Sequence, residues 1–177
     1  MTLKGTLLKL DNVSHVTFQG LIFEYTRGTA VRMTGGTGNR IVGCTLRNLG
    51  AWAVTASGGA DNGVRDCDVY NLGRGGISIR GGDRKALTPA NHFVRNNHIH
   101  DIGEWNRMYV PGVSVHGVGN VVANNLIHNG PHQALSFGGN DHIIEYNEMH
   151  SMCYESNDAG AMYSGRDWTQ RGTQIRY

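Results

Sequence analysis

Charge is scarce in this sequence. Only 17% of its 177 residues are charged, and the 16 Lys+Arg and 14 Asp+Glu leave a scattered net +2. No basic or acidic block points to a nucleic-acid or membrane partner. Long apolar runs are missing too. The opening "MTLKGTLLKL" is too short for a signal peptide, and no later stretch reads as a transmembrane segment. The three cysteines, Cys44, Cys67 and Cys153, fit no spaced metal motif, and an odd count leaves one unpaired. Apolar periodicity of a full helix length is absent. What is plentiful is glycine, 26 residues, beside 39% apolar residues, enough for one core in a single domain spanning 1–177. The glycines fall between regularly spaced apolar pairs, which indicates turns in an ordered β protein.

An internal repeat organises the chain. "AVRMTGG", "AVTASGG", "GISIRGG", "GVSVHGV", "ALSFGGN" and "AMYSGRD" share a pattern of small, apolar, polar, mostly apolar, then turn. "IVGCTLRN", "VRDCDVYN", "VRNNHIHD", "VANNLIHN" and "IEYNEMHS" form a second set with Cys or Asn at a fixed place. The step is 23 residues from Val31 to Val54 and again to Ile77, then 36, 22 and 27 to Val113, Leu135 and Met162. This spacing is too short for propeller blades, and the dense leucines of leucine-rich repeats are missing. The pattern predicts an all-β, right-handed, single-stranded parallel β-helix of about seven coils, each about 4.8 Å above the last.

Stacking then predicts ladders. Val31, Val54, Ile77, Val113, Leu135 and Met162 form one inward column. Met33, Ala56, Ile79, Val115 and Phe137 form another, broken at Ser164. Cys44, Cys67, Asn97, Asn125 and Asn147 share a bend, where asparagine tolerates left-handed backbone and bonds nearby backbone groups and the cysteines stack as buried free thiols. Arg32, Thr55, Ser78, Ser114, Ser136 and Tyr163 face outward, and two residues on come Thr34, Ser57, Arg80, His116, Gly138 and Gly165. Such a flat polar strip suits an extended, hydroxyl-rich ligand, or is an ordinary solvated face. Two insertions, 82–92 and 103–111, lengthen one coil and are placed to wall a binding surface. His100, His128 and His150 share a repeat position after Arg47 and Tyr70; a stacked polar ladder with Asp101 and Asn129 is expected there, not a metal site. No cofactor is expected.

The stretch "SNDAGAMYSGRDW" breaks the repeat's blandness. Asp158 precedes a strand, Tyr163 takes a slot held elsewhere by Arg, Thr or Ser, and Arg166 and Asp167 replace turn glycines. An ion pair of Arg166 with Asp167 or Asp158 would close this loop. The last 38 residues, from Asn140, with "IIEYNEMH" and "DAGAMYSGRDW", resemble the β-helix enzymes around glycoside hydrolase family 141. The resemblance implies glycosidic-bond cleavage of a polysaccharide or oligosaccharide. It makes Asp158 the leading catalytic carboxylate, with Asp167 in the same motif and Tyr163, Arg166 and Trp168 shaping the sugar site. Arg80, His116, His132 and Ser136 join them as sugar-contacting candidates.

Glycoside hydrolysis ordinarily uses two carboxylates. The coil before Asp158 offers none on this face. "GTQIRY" stops inside an expected strand, so a piece of a longer, bacterial secreted or periplasmic protein is expected, with the partner acid in a further coil. An open end of this kind predicts end-to-end self-association. Two other functions remain open: a carbohydrate-binding or structural β-helix segment using Trp52, Trp105 and Trp168, and a polysaccharide lyase. A lyase commonly uses a basic residue and calcium, yet lysine occurs only at Lys4, Lys9 and Lys85, and no acid cluster suggests a calcium cage.

Overall fold

The computed structural model describes residues 3–177, and among these there is no helix. Three parallel sheets wind around one core. The first contains Leu8–Asp11, Val31–Thr34, Val54–Ser57, Ile77–Gly81, Val113–Val118, Leu135–Asn140 and Met162–Tyr163. The second runs from Thr17–Gln19 to Gln174–Arg176 in seven strands, the third from Ile22–Thr26 to Glu148–Met152 in six. Each strand pairs with its equivalents one repeat away, so the chain is a right-handed parallel β-helix of six three-strand coils and a seventh with two strands. Strands this short cannot bury themselves alone; stacking completes each one's hydrogen bonds.

The register matches the sequence columns. Val31, Val54, Ile77, Val113, Leu135 and Met162 stack in order, with Leu8 beginning the column. Met33, Ala56, Ile79, Val115 and Phe137 do the same. Strand alternation drives both sets inward, and Val31, Val54, Ile77, Val113 and Leu135 are wholly buried. Removing this apolar area from water is the main favourable contribution to folding.

Two bends are held by buried polar ladders. In one, the Cys44 N–H meets Cys67 Sγ at 3.4 Å, and the Cys67 N–H donates to Asn97 Oδ1 at 3.0 Å. The series continues through Asn97 to Asn125 at 3.1 Å and Asn125 to Asn147 at 3.0 Å. Each side chain caps a backbone donor of the coil before it. Cys44, Cys67 and Cys153 are free thiols, and burial pushes Cys67 up to about 12. One expectation is corrected here. The left-handed residues are those before the ladder, Gly43, Asp66, Asn96, Asn124 and Tyr146. The ladder asparagines bond nearby backbone as expected, because a side chain aimed into the core reaches the backbone of the coil before it.

The second ladder alternates chemistries. Asn39 N–H donates to Asn62 Oδ1, Asn62 N–H to His92 Nδ1, His92 N–H to Asn120 Oδ1 and Asn120 N–H to His142 Nδ1, all at 3.0–3.1 Å. All five side chains are fully buried. With Nδ1 accepting, His92 and His142 carry their proton on Nε2, which faces Gly58 O and Gly138 O respectively, each at 3.1 Å.

The ladders yield two predictions. Asn125→Ala leaves the Asn97 N–H and Val94 carbonyl without their side-chain partner. At about 1–3 kcal/mol per orphaned buried group, it should cost roughly 2–4 kcal/mol in urea denaturation; an unshifted midpoint would contradict the capping role. Burial above all holds His92 and His142 below the ordinary imidazole pKa. The unfolded chain then binds more protons as pH falls below about 6.5, so stability falls with pH. The melting temperature should drop from about pH 7.5 to about pH 5, and the His92→Asn/His142→Asn variant, which keeps the ladder's other cap, should drop less.

Candidate functional site

The outer face of the first sheet is built by the same stacking. Arg80 pairs in register with His116, and His116 with Gly138. Beside them Ser78, Ser114, Ser136 and Tyr163 form the adjoining column. Gly138 is needed for space, not backbone freedom: a Cβ there would lie 2.9 Å from His116 Nδ1. The missing side chain lets the imidazole lean over the next coil.

The first insertion closes one side. Arg84 Nε donates to Asn140 Oδ1 at 2.9 Å, and its two terminal nitrogens to Asp167 Oδ2 and Thr169 Oγ1, both at 2.7 Å. Asp167 also accepts from the Thr169 N–H at 3.0 Å and hydroxyl at 2.6 Å. Ser164 Oγ donates to Gln170 Oε1 at 2.6 Å. These bonds pin the insertion to the loop after the last strand of the sheet. They enclose a cleft of about 480 Å³ whose lining includes Arg80, His116, Ser136, Tyr163, Asp167 and Gln170.

The electrostatics are those of a cationic cleft with a neutral base. Arg84, then Thr169, hold Asp167 far below the usual carboxylate range. Asp167 is therefore ionised and engaged, and has no proton to give as an acid. Burial, then the charge of Arg80, holds His116 below the ordinary imidazole pKa, so it is neutral with a free lone pair at neutral pH. Among the described residues no carboxylate pairs with Arg80.

Five of the sequence candidates thus converge: Arg80, His116, Ser136, Tyr163 and Asp167. Four lie elsewhere. Asp158 is exposed and outside the cleft; its charge acts on His132, which is buried with its ring 4.9 Å from that of Tyr109. Trp168 is fully exposed and borders a neighbouring hollow with Lys85 and Leu87. Arg166 is exposed in a left-handed conformation and pairs with neither Asp158 nor Asp167. The alternative of an Arg166 ion pair does not form: Arg84 pairs with Asp167 instead, because the insertion folds over the strip. Arg84 and Gln170 were not candidates from sequence. They sit 83 residues or more from one of their partners or in an irregular loop, where no repeat position marks them.

The polar ladder on the third sheet forms as expected. Tyr70, His100, His128 and His150 stack at 5.0, 5.1 and 4.7 Å with planes within 11°. Metal-type donors gather there, at His98, His100 and His128, and not in the cleft.

Comparison with known proteins supports the architecture. A structure of the Azotobacter vinelandii mannuronan C-5 epimerase AlgE4 A-module superimposes with a TM-score of 0.62 at 12% identity, over 84% of this chain and 50% of that one. The AlgE6 A-module of the same organism gives 0.48 at 13%, over 98% and 58%. The chain thus spans about half the length of these structures, and at such identity the likeness shows the fold alone. Neither is by name a glycoside hydrolase, and glycoside hydrolase family 141 gains no support. Among curated proteins no relative matches. The family described as "Right handed beta helix region" matches residues 3–130. That is well over half of the sequence, and the chain belongs to this right-handed β-helix family.

Proposed function

We propose that the outer strip of the first sheet binds an acidic polysaccharide, and that the cleft at its end acts on a uronate residue by removing the proton next to its carboxylate. The observation that carries this reading is an unpaired Arg80 beside a neutral His116 and Tyr163, while the cleft's one carboxylate is held by Arg84. Arg80 would neutralise the substrate carboxylate, which favours charge moving onto it as the carbon–hydrogen bond breaks. His116 would take that proton. The electron pair then enters the carboxylate-stabilised enolate. Proton return from the Tyr163 hydroxyl to the opposite face inverts the carbon, whereas departure of the neighbouring glycosidic oxygen with the Tyr163 proton gives an unsaturated end. The fold shared with epimerase modules that act on mannuronan agrees with a polysaccharide substrate.

Hydrolysis is the second reading. Asp158 beside His132 favours it. A hydrolase also needs a second carboxylate within about 5–10 Å, and Asp167, engaged with Arg84, is poorly suited to that part.

Incubation in D2O with polymannuronate, polygalacturonate and neutral xylan separates these readings. Deuterium should enter the uronates beside the carboxylate where the carbon is reprotonated, or near-ultraviolet absorption should appear where the glycosidic oxygen leaves, and xylan should remain unbound. Arg80→Ala should weaken uronate binding about tenfold or more, as loss of a charge-assisted contact does. Gly138→Ala should displace His116 and slow exchange up to about 100-fold with the fold unchanged. New reducing ends with neither deuterium nor near-ultraviolet absorption, abolished by Asp158→Asn, would establish hydrolysis instead. Binding that is indifferent to Arg80 would overturn the uronate reading.

A further inference from the structure

A second cluster lies on the third sheet, remote from the cleft and independent of its chemistry. There Asp68 stacks on His98, and Tyr70 on His100, then His128 and His150. Positions 98 and 100 share one face of their strand, so three successive coils contribute to one patch. His98 Nε2 lies 2.8 Å from His128 Nε2. Asp68 Oδ1 lies 3.3 Å from His98 Nδ1 and 3.4 Å from His100 Nε2. One donor atom from each of the three histidines falls within 4.8 Å of the others.

The proton count of this patch is unusual. His100 Nδ1 lies 2.7 Å from Asp101 Oδ2, and Asp101 Oδ1 accepts from Asn129 Nδ2 at 3.1 Å. With Nδ1 engaged by Asp101, His100 turns Nε2 to the patch. Facing it is Asp68 Oδ1, an acceptor shielded from solvent and without a hydrogen-bond partner. His128 Nδ1 is likewise shielded and unpartnered.

The spacing suits a metal ion. Tetrahedral zinc with bonds of about 2.0–2.1 Å sets its ligand atoms about 3.3 Å apart. With His98 offering Nε2, its 2.8 Å separation from His128 Nε2 is of that order, and one donor atom from each of His98, His100 and His128 lies within 4.8 Å of the others. A histidine whose far nitrogen donates to a carboxylate is the usual outer support of such a site, the part played here by Asp101. Imidazole donors select a zinc-like ion over calcium or magnesium.

We propose that His98, His100 and His128 bind one divalent transition-metal ion of the zinc type, clipping the fourth and fifth coils together. The fourth coil carries both insertions, including the Arg84 wall of the cleft, so the clip braces the least regular turn of the solenoid. An ion bound only by the folded state raises stability by mass action.

Tag-free, chelator-stripped protein tests this with Co2+ and Zn2+ alone. One equivalent of Co2+ should give the visible absorption of a tetrahedral complex, and Zn2+ should displace it. His98→Ala, His100→Ala and His128→Ala should each weaken binding at least tenfold, Asp101→Asn about 10–100-fold, and His150→Ala less than twofold. Zn2+ should raise the melting temperature of the parent protein and not of His100→Ala. Should a histidine variant misfold by circular dichroism, Asp101→Asn reads the same site through a conservative change. No stoichiometric complex, or equal losses in His150→Ala and His98→Ala, would overturn the site and leave a proton-sharing histidine stack.

Discussion

The structure depends on the capping of backbone N–H groups by side chains of the next coil. A parallel β-helix turns sharply between its sheets, and at each turn some donors leave the strand ladder. Buried, each unpaired donor costs about 1–3 kcal/mol. At two bends these donors are met from the neighbouring coil by the series from Cys44 to Asn147 and from Asn39 to His142. Because the cap comes from the next coil, it fixes which residue lies above which. A slip of one residue would leave a line of buried donors unpaired and turn the valine columns outward.

Fixed register is also what creates function from distant residues. Arg80 and His116 are far apart in sequence yet in register on neighbouring strands, and so are His100 and His128. The regular coils supply the floor of the cleft, and the irregular insertion supplies its wall through Arg84. The floor and the second bend are mechanically joined, since the Gly138 carbonyl accepts from buried His142 while its bare Cα makes room for His116.

Much of this was legible in sequence, for a physical reason. Apolar columns repeat with the strand period of two, so Val31, Val54 and Ile77 announce themselves, and the Cys/Asn bend repeats a short list of residue types. The second ladder was not legible, because it mixes Asn39, Asn62 and Asn120 with His92 and His142, which share an acceptor at the δ1 position and not a residue type. His98 was missed for the same cause, in a column shared with Asp68, Leu126 and Glu148. The site was half legible. Strip residues Arg80, His116, Ser136 and Tyr163 followed from the repeat, while the pairing of Asp167 with Arg84 spans 83 residues and one insertion. Motif resemblance drew attention to Asp158, which lies outside the cleft that the stacking builds.

In-register stacking can be measured directly by cross-linking. Ser114 and Ser136 are Cα partners on adjacent strands, and Ser78 lies one strand further away. In a Cys153→Ser background, Ser114→Cys/Ser136→Cys should oxidise readily to a disulfide, since neighbouring strands lie about 4.8 Å apart. Ser78→Cys/Ser136→Cys, at about twice that spacing, should not. Cross-linking of the second pair, or failure of the first in folded protein, would contradict the register and with it both sites.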